Sequence, residues 1–148
     1  MVSQGYVLGL REGEHLVLRG GDIFIKVDPI GGCHGLAMGT QQIPVGAGIP
    51  IHRHLQMDEA FYVIEGSGVS VLNDERHPIG KGASIFIPKN AWHGFENADS
   101  ELFLLWTVAP SGLERFFREI AARPGVPAAQ RTKEELNEIA RRYGTEFR

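Results

Sequence analysis

The sequence is short of cysteine. Cys33 is the only one in 148 residues, so no internal disulfide can form and nothing in the composition calls for an oxidising compartment. It lacks any apolar run near the roughly 20 residues that a membrane-spanning helix needs. The opening stretch Met1-Val2-Ser3-Gln4-Gly5-Tyr6 has no basic region followed by an apolar core, so no signal peptide is expected. Positive charge is not in excess either. A net charge of −3 gives no electrostatic case for binding nucleic acid or an anionic membrane. Internal repeats and low-complexity segments are absent. These absences together lead to the expectation of a cytoplasmic, single-domain protein whose partner is a small molecule.

What is present is ordinary in amount and informative in arrangement. Apolar residues make up 43% and charged residues 22%, enough for a folded core. Glycine is plentiful at 19 and falls mostly between short apolar runs, as tight turns between strands require. Ile23–Val27, 36–45, Glu59–Glu65, Val69–Leu72, a short piece near His77–Ile79, Ser84–Ile87, Trp92–Glu96 and Leu102–Val108 read as strands. Asn73-Asp74-Glu75 reads as a hairpin turn. The regular spacing predicts an all-β sandwich or barrel. Within 36–45, Gly39 and the glutamines Gln41 and Gln42 sit oddly with a dry core. They fit a strand that lines a solvated pocket or that turns them outward.

The chemistry concentrates between Gly46 and Asn97. His52 and His54 are two apart, so on a strand both imidazoles share a face. Glu59 opens the next strand. Two imidazoles and a carboxylate converging from neighbouring strands form a ligand set for a divalent transition metal, and His93, on a later strand, can add a third imidazole. Nitrogen and oxygen ligands suit iron, manganese, nickel, cobalt, copper or zinc. By alternation Phe61 and Val63 share the face of Glu59, and Phe95 that of His93, so these three are the expected walls of a substrate pocket.

The spacings resemble those of a known family. Five residues separate Gly46 from His52, four separate His54 from Glu59, and six separate Glu59 from Gly66. A second set runs Gly82, five residues, Pro88, then Asn90, His93 and Asn97. In order and spacing these resemble the two motifs of the cupin superfamily. Asn90 stands where the family usually has glycine. A turn there needs positive φ, and asparagine tolerates it best after glycine. The resemblance implies a double-stranded β-helix, or jelly roll, and one metal ion held by His52, His54, Glu59 and His93. It is nearest to small quercetinase-like members. That implies a dioxygenase acting on an enol or flavonol-like molecule, with Glu59 both ligand and catalytic proton acceptor. A metal-dependent sugar or keto-acid isomerase, epimerase or lyase is the alternative, and a non-catalytic small-molecule-binding protein another. Jelly-roll cupins generally pair, so a homodimer is expected, through the residues before Asp28 or through the segment Leu113–Ile120.

The texture changes after Pro110, dividing the chain into a barrel, 1–110, and a helical tail, 111–148, packed on the barrel or an interface. Ser111 through Glu114 has the form of a capping box with serine at the N-cap, followed by Leu113, Phe116, Phe117 and Ile120 at helical spacing. Thr132 through Glu135 is a second box, followed by Leu136, Ile139, Ala140 and Tyr143, and Gly144 is a natural stop. His15, among charges, and His77, beside a turn, read as solvent-exposed. Cys33-His34 lies in a glycine-rich loop, with neither the further ligands of a metal site nor the base of a nucleophile. Arg53, Gln41, Gln42 and Gln56 are polar positions that substrate or a ligand histidine could reach.

Overall fold

Eleven strands and two helices follow one another in the computed structural model, which describes residues 4–97 and 99–148. The strands are β1 (Glu14–Leu18), β2 (Gly21–Val27), β3 (Ala37–Ile43), β4 (Gly48–His54), β5 (Asp58–Glu65), β6 (Ser67–Leu72), β7 (Glu75–Gly80), β8 (Ser84–Ile87), β9 (His93–Glu96), β10 (Leu102–Ala109) and β11 (Thr145–Phe147). The helices, α1 (Leu113–Ile120) and α2 (Lys133–Arg142), lie between β10 and β11. One sheet has the order β1-β2-β3-β10-β5-β8 and the other β11-β4-β9-β6-β7. Every pairing is antiparallel. This is the jelly roll the motifs implied. Among the described residues no helix is long and apolar enough to cross a membrane.

Alternation decides what lies between the sheets. In β10, Leu102, Leu104, Trp106 and Val108 are wholly buried while the residues between them are partly exposed. In β5, Glu59, Phe61 and Val63 turn inward and Ala60 and Tyr62 outward. Each large apolar side chain buried this way contributes about 1.5–3 kcal/mol. Gly39, awkward in a strand, has a packing reason. It pairs with Trp106, and a Cβ there would come within 2.5 Å of the indole. Only glycine leaves room there for the ring and for the Phe24 carbonyl, which a Cβ would approach to 2.2 Å. Asn90 takes φ +71°, the conformation expected of it.

The tail differs from its sequence reading in two respects. Ser111 does not cap α1: the N-cap is Gly112, and no side chain caps it. The buried Glu114 carboxylate turns back to accept from the Gly112 N–H at 2.7 Å, so the helix starts one residue later. The second box forms as expected, with Glu135 N–H donating to Thr132 Oγ1 at 3.1 Å and Thr132 N–H to Glu135 Oε2 at 2.7 Å. Gly144, at φ +67°, then releases the chain into β11, which the sequence reading did not include. β11 joins the edge of β4, with Thr145 opposite His54, Glu146 opposite Arg53 and Phe147 opposite His52. The apolar face of α1, offered above as half of a two-fold contact, is buried on its own barrel through Leu113, Phe116, Phe117 and Ile120. Near the N-terminus, Tyr6, Val7 and Leu10 stay exposed.

Candidate metal centre

β4 delivers His52 and His54 to one face, β5 delivers Glu59, and β9 delivers His93, which pairs with His52 across the ladder. The four offer ligand atoms within 4.8 Å of one another, and all four residues are buried. Among the described residues this is the one cluster of its kind. Glu59 Oε2 lies 3.1 Å from His93 Nε2 and 3.2 Å from His54 Nε2.

The outer nitrogens explain why the inner ones converge. His52 Nδ1 lies 2.7 Å from the Pro50 carbonyl, His93 Nδ1 2.9 Å from the Ala91 carbonyl, and His54 Nδ1 2.9 Å from Thr145 Oγ1. A carbonyl can only accept, so the Nδ1 of His52 and of His93 carries the proton. Thr145 Oγ1 can take the same part for His54. In a neutral ring this leaves each Nε2 with a bare lone pair, the arrangement that metal-ligating histidines adopt.

The electrostatics point the same way. Burial pushes the His52 pKa well below its usual value, and the neighbouring His93 and His54 push it further. A neutral ring is what ligation needs. Burial alone would raise the Glu59 carboxyl. Positive charge on the adjoining His54 and His93 outweighs it and holds the group well below the ordinary carboxylate range; with both rings neutral, a bound cation has to supply that charge. The site therefore keeps an ionised carboxylate at almost no solvent exposure. Lone pairs and a carboxylate turned on one another repel unless a cation stands among them, and burying such a charge uncompensated costs several kcal/mol. His54 Nε2 is moreover buried without a hydrogen-bond partner; its approach to Glu59 lacks the alignment of one. The donor set fits a divalent transition metal.

Beside the ligands is a cavity of about 40 Å³. His52, His54, Glu59, Gln41 and Arg19 supply its polar wall, while Leu18, Ile49, the apolar face of α1 and Phe147 supply the rest. Phe61, Val63 and Phe95, the expected pocket walls, are buried elsewhere in the core and do not line this cavity. Phe61 packs edge-on against Phe95 at 4.8 Å. They share the inward face of the ligands, as alternation requires, but the open space lies towards the tail. Gln41 does reach the cavity; Gln42, one residue on, points out to Glu101.

A family model described as a cupin domain matches residues 39–109, which contain all four ligands. Protein SchB of Streptomyces halstedii is 33% identical over 94 residues, covering 62% of this chain and 68% of SchB. The chain belongs to the cupin superfamily. This cupin is also 36% identical over 55 residues to the uncharacterized protein MJ1618 of Methanocaldococcus jannaschii, a match that spans 37% of the chain and only 44% of MJ1618. The polyketide cyclase RemF from Streptomyces resistomycificus superposes with a TM-score of 0.67 at 19% identity, over 90% of this chain and 92% of RemF. At that identity the likeness is one of fold.

Two residues that serve the site escaped the sequence reading, Thr145 at His54 and Phe147, whose ring lies 5.6 Å from that of His52. Their one signal is that they are two apart after a helix-stopping glycine, too little to predict a strand. The remaining polar candidates lie outside the cavity. Arg53 pairs with Glu146 at 2.7 Å and stacks over Trp92. Gln56 is exposed beside Gly144. Cys33 and His34 join no ligand cluster among the described residues. His77 is exposed as expected. His15 is half-buried instead, stacked on Phe24 and 2.7 Å from Asp22.

Proposed function

We propose that this cupin is a metal-dependent enzyme, and that its reaction is the dioxygenation of a small enol or flavonol-like molecule, as in the quercetinase-like members it resembles. The observation that carries the proposal is Glu59: a carboxylate, buried, next to three imidazoles and bordering a cavity lined mainly by leucine, isoleucine and phenylalanine. A divalent ion held by His52, His54, His93 and Glu59 would supply Lewis acidity towards the substrate's oxygens and, if redox-active, a route for electrons to O₂. The apolar wall suits an aromatic or unsaturated body and an apolar gas. Glu59 would take the proton of the enol hydroxyl, and the face of α1 would exclude water while it does so.

A second reading has its own support. A carboxylate held ionised beside a polarised oxygen is equally the base of an isomerase or lyase, for which no oxidant is needed. One experiment separates the two. Untagged protein is analysed for metal and then given a panel of enols and flavonols with and without O₂. About one metal ion per chain, with O₂ consumed as substrate disappears, supports the dioxygenase. Substrate turnover that continues without O₂ assigns the second reading. Failure to take up any of the candidate ions overturns both.

A further inference from the structure

The loop between β1 and β2 carries a residue that neither the cupin motifs nor the ligand set explains. Leu18 and Gly21 pair across the ladder, leaving Arg19 and Gly20 as a two-residue hairpin loop. Both have positive φ, 49° and 76°. This is the conformation of a type I′ turn, whose first position favours asparagine, aspartate or glycine. An arginine in the left-handed region costs stability. Such backbone outliers cluster where function holds them.

Arg19 lines the cavity of the metal ligands and also an open groove beside it, walled by Gly48, Pro50, Ile51, Phe95 and Glu96. Arg19 and Ile49 are the residues common to both, so they stand at the junction. Apart from the histidines, Arg19 is the one cationic residue lining either space among the described residues. Among the described residues its side chain has no ion pair or hydrogen bond, whereas Arg11 and Arg53 are engaged with Asp22 and Glu146. Glu96, the acid along the groove, is taken by Arg76.

We infer that Arg19 is a specificity-determining residue that recognises a carboxylate on the substrate, at the end remote from the oxygens held at the metal centre. The inference rests on the proposed function above and adds a substrate class to it: carboxylic acids bearing a chelating enol or phenol pair. A monoanion is favoured over a phosphate ester on charge. The planar fork of one guanidinium matches the two oxygens of a carboxylate. Among the described residues neither space offers a second arginine or lysine to balance the further negative charge of a phosphate ester.

The test uses protein loaded with one equivalent of metal and two catechols, protocatechuate and hydrocaffeate, which keep the chelating end and carry the carboxylate at two reaches. Each is titrated calorimetrically against its primary amide, with the parent protein and with Arg19→Asn. In the parent at least one carboxylate binds about 10-fold or more tightly than its amide, the scale of a charge-assisted hydrogen bond. In Arg19→Asn that preference disappears, the amide affinity stays, and the melting temperature is equal or higher, because asparagine suits the loop. Loss of the carboxylate preference together with a gain in stability is a pairing that a merely structural residue would not give. Equal binding of acids and amides by the parent, or a preference that survives in Arg19→Asn, overturns the inference and leaves the metal-dependent reading standing. If metal-loaded parent binds neither catechol nor amide, the chelated-substrate reading fails and the inference falls with it.

Discussion

The two sides of the cavity are built differently. The barrel side, β4, β5 and β9, supplies the ligands from two compact motifs, and each ligand's direction follows from strand alternation. The tail side, α1 and β11, supplies no ligand but most of the apolar wall, together with Thr145, which engages the outer nitrogen of His54. The difference is between residues that define a chemistry and residues that decide what may reach it. The first kind recurs at fixed spacing because coordination geometry is unforgiving. The second kind needs only to fill a shape, and many sequences can do so.

The sharpest way to break the comparison is to strike the barrel side. Glu59→Gln keeps the size and one ligand oxygen but removes charge and basicity. At matched metal occupancy, turnover should fall by on the order of 10²–10⁴-fold, the contribution of a positioned base, while metal affinity falls modestly because three imidazoles remain. His52→Ala should lose metal and activity together. Metal content measured in every sample beside steady-state rates tells the two apart. A fully loaded Glu59→Gln that turns over like the parent would reduce Glu59 to a structural ligand.

A smaller effect is expected from the tail. Thr145→Val keeps the shape and removes the oxygen that faces His54 Nδ1. The imidazole then loses its fixed orientation, and metal affinity should drop about 10–100-fold, as when other supporting partners of metal ligands are removed. Thr145→Ser should restore it. Competition against a coloured chelator measures this without any substrate. If Thr145→Val binds metal like the parent, the tail is only a cover, and the barrel alone makes the site.

The same asymmetry explains what could be read from sequence. His52, His54, Glu59, His93 and the strands that carry them were legible because their spacing is the chemistry. So was Asn90, whose identity reports its backbone angle. β11 was not legible: three residues after a glycine carry no periodicity, and they become a strand because the edge of β4 lies open beside them. The cap of α1 was misread because Glu114, not Ser111, satisfies the first turn. A motif of side chains does not say which of two partners the fold will bring closer. Phe61, Val63 and Phe95 face inward as alternation says, yet which inward residues border empty space depends on where the tail lies. The sequence of the barrel does not contain that information.

Acid should act on the barrel side first. The folded pKa of His52 lies well below the ordinary histidine value of about 6.5. Between those two values the unfolded chain binds a proton at this residue that the folded chain does not, so stability falls as pH falls through the window. The slope from one such group is at most about 1.4 kcal/mol per pH unit. Calorimetric melts of metal-free protein between neutral pH and pH of about 5 should show a declining midpoint. Added metal should steepen the decline, since its ligands must shed protons to bind. A midpoint that rises on acidification would contradict a neutral, buried His52.

The smallest effect should come from Asn90, which tests whether turns on the barrel side act through the site or only through the backbone. Asn90 N–H donates to the His54 carbonyl at 2.7 Å. The next residue, Ala91, presents the carbonyl that holds His93 Nδ1. Asn90→Gly relieves the left-handed strain but loosens the unfolded chain, so the two changes nearly cancel and stability should move by no more than about 0.5 kcal/mol. Asn90→Ala keeps the strain without the side chain that eases it, and should cost about 1 kcal/mol. Neither should alter metal affinity, because the Ala91 carbonyl is fixed by the turn, and both substitutions leave the turn formed. Thermal melts and the chelator competition, run on the same samples, separate the two quantities. Should Asn90→Ala weaken metal binding as far as Thr145→Val does, the two sides of the cavity would be equally responsible for aiming the histidines. The division drawn between them would then hold for the cavity wall alone.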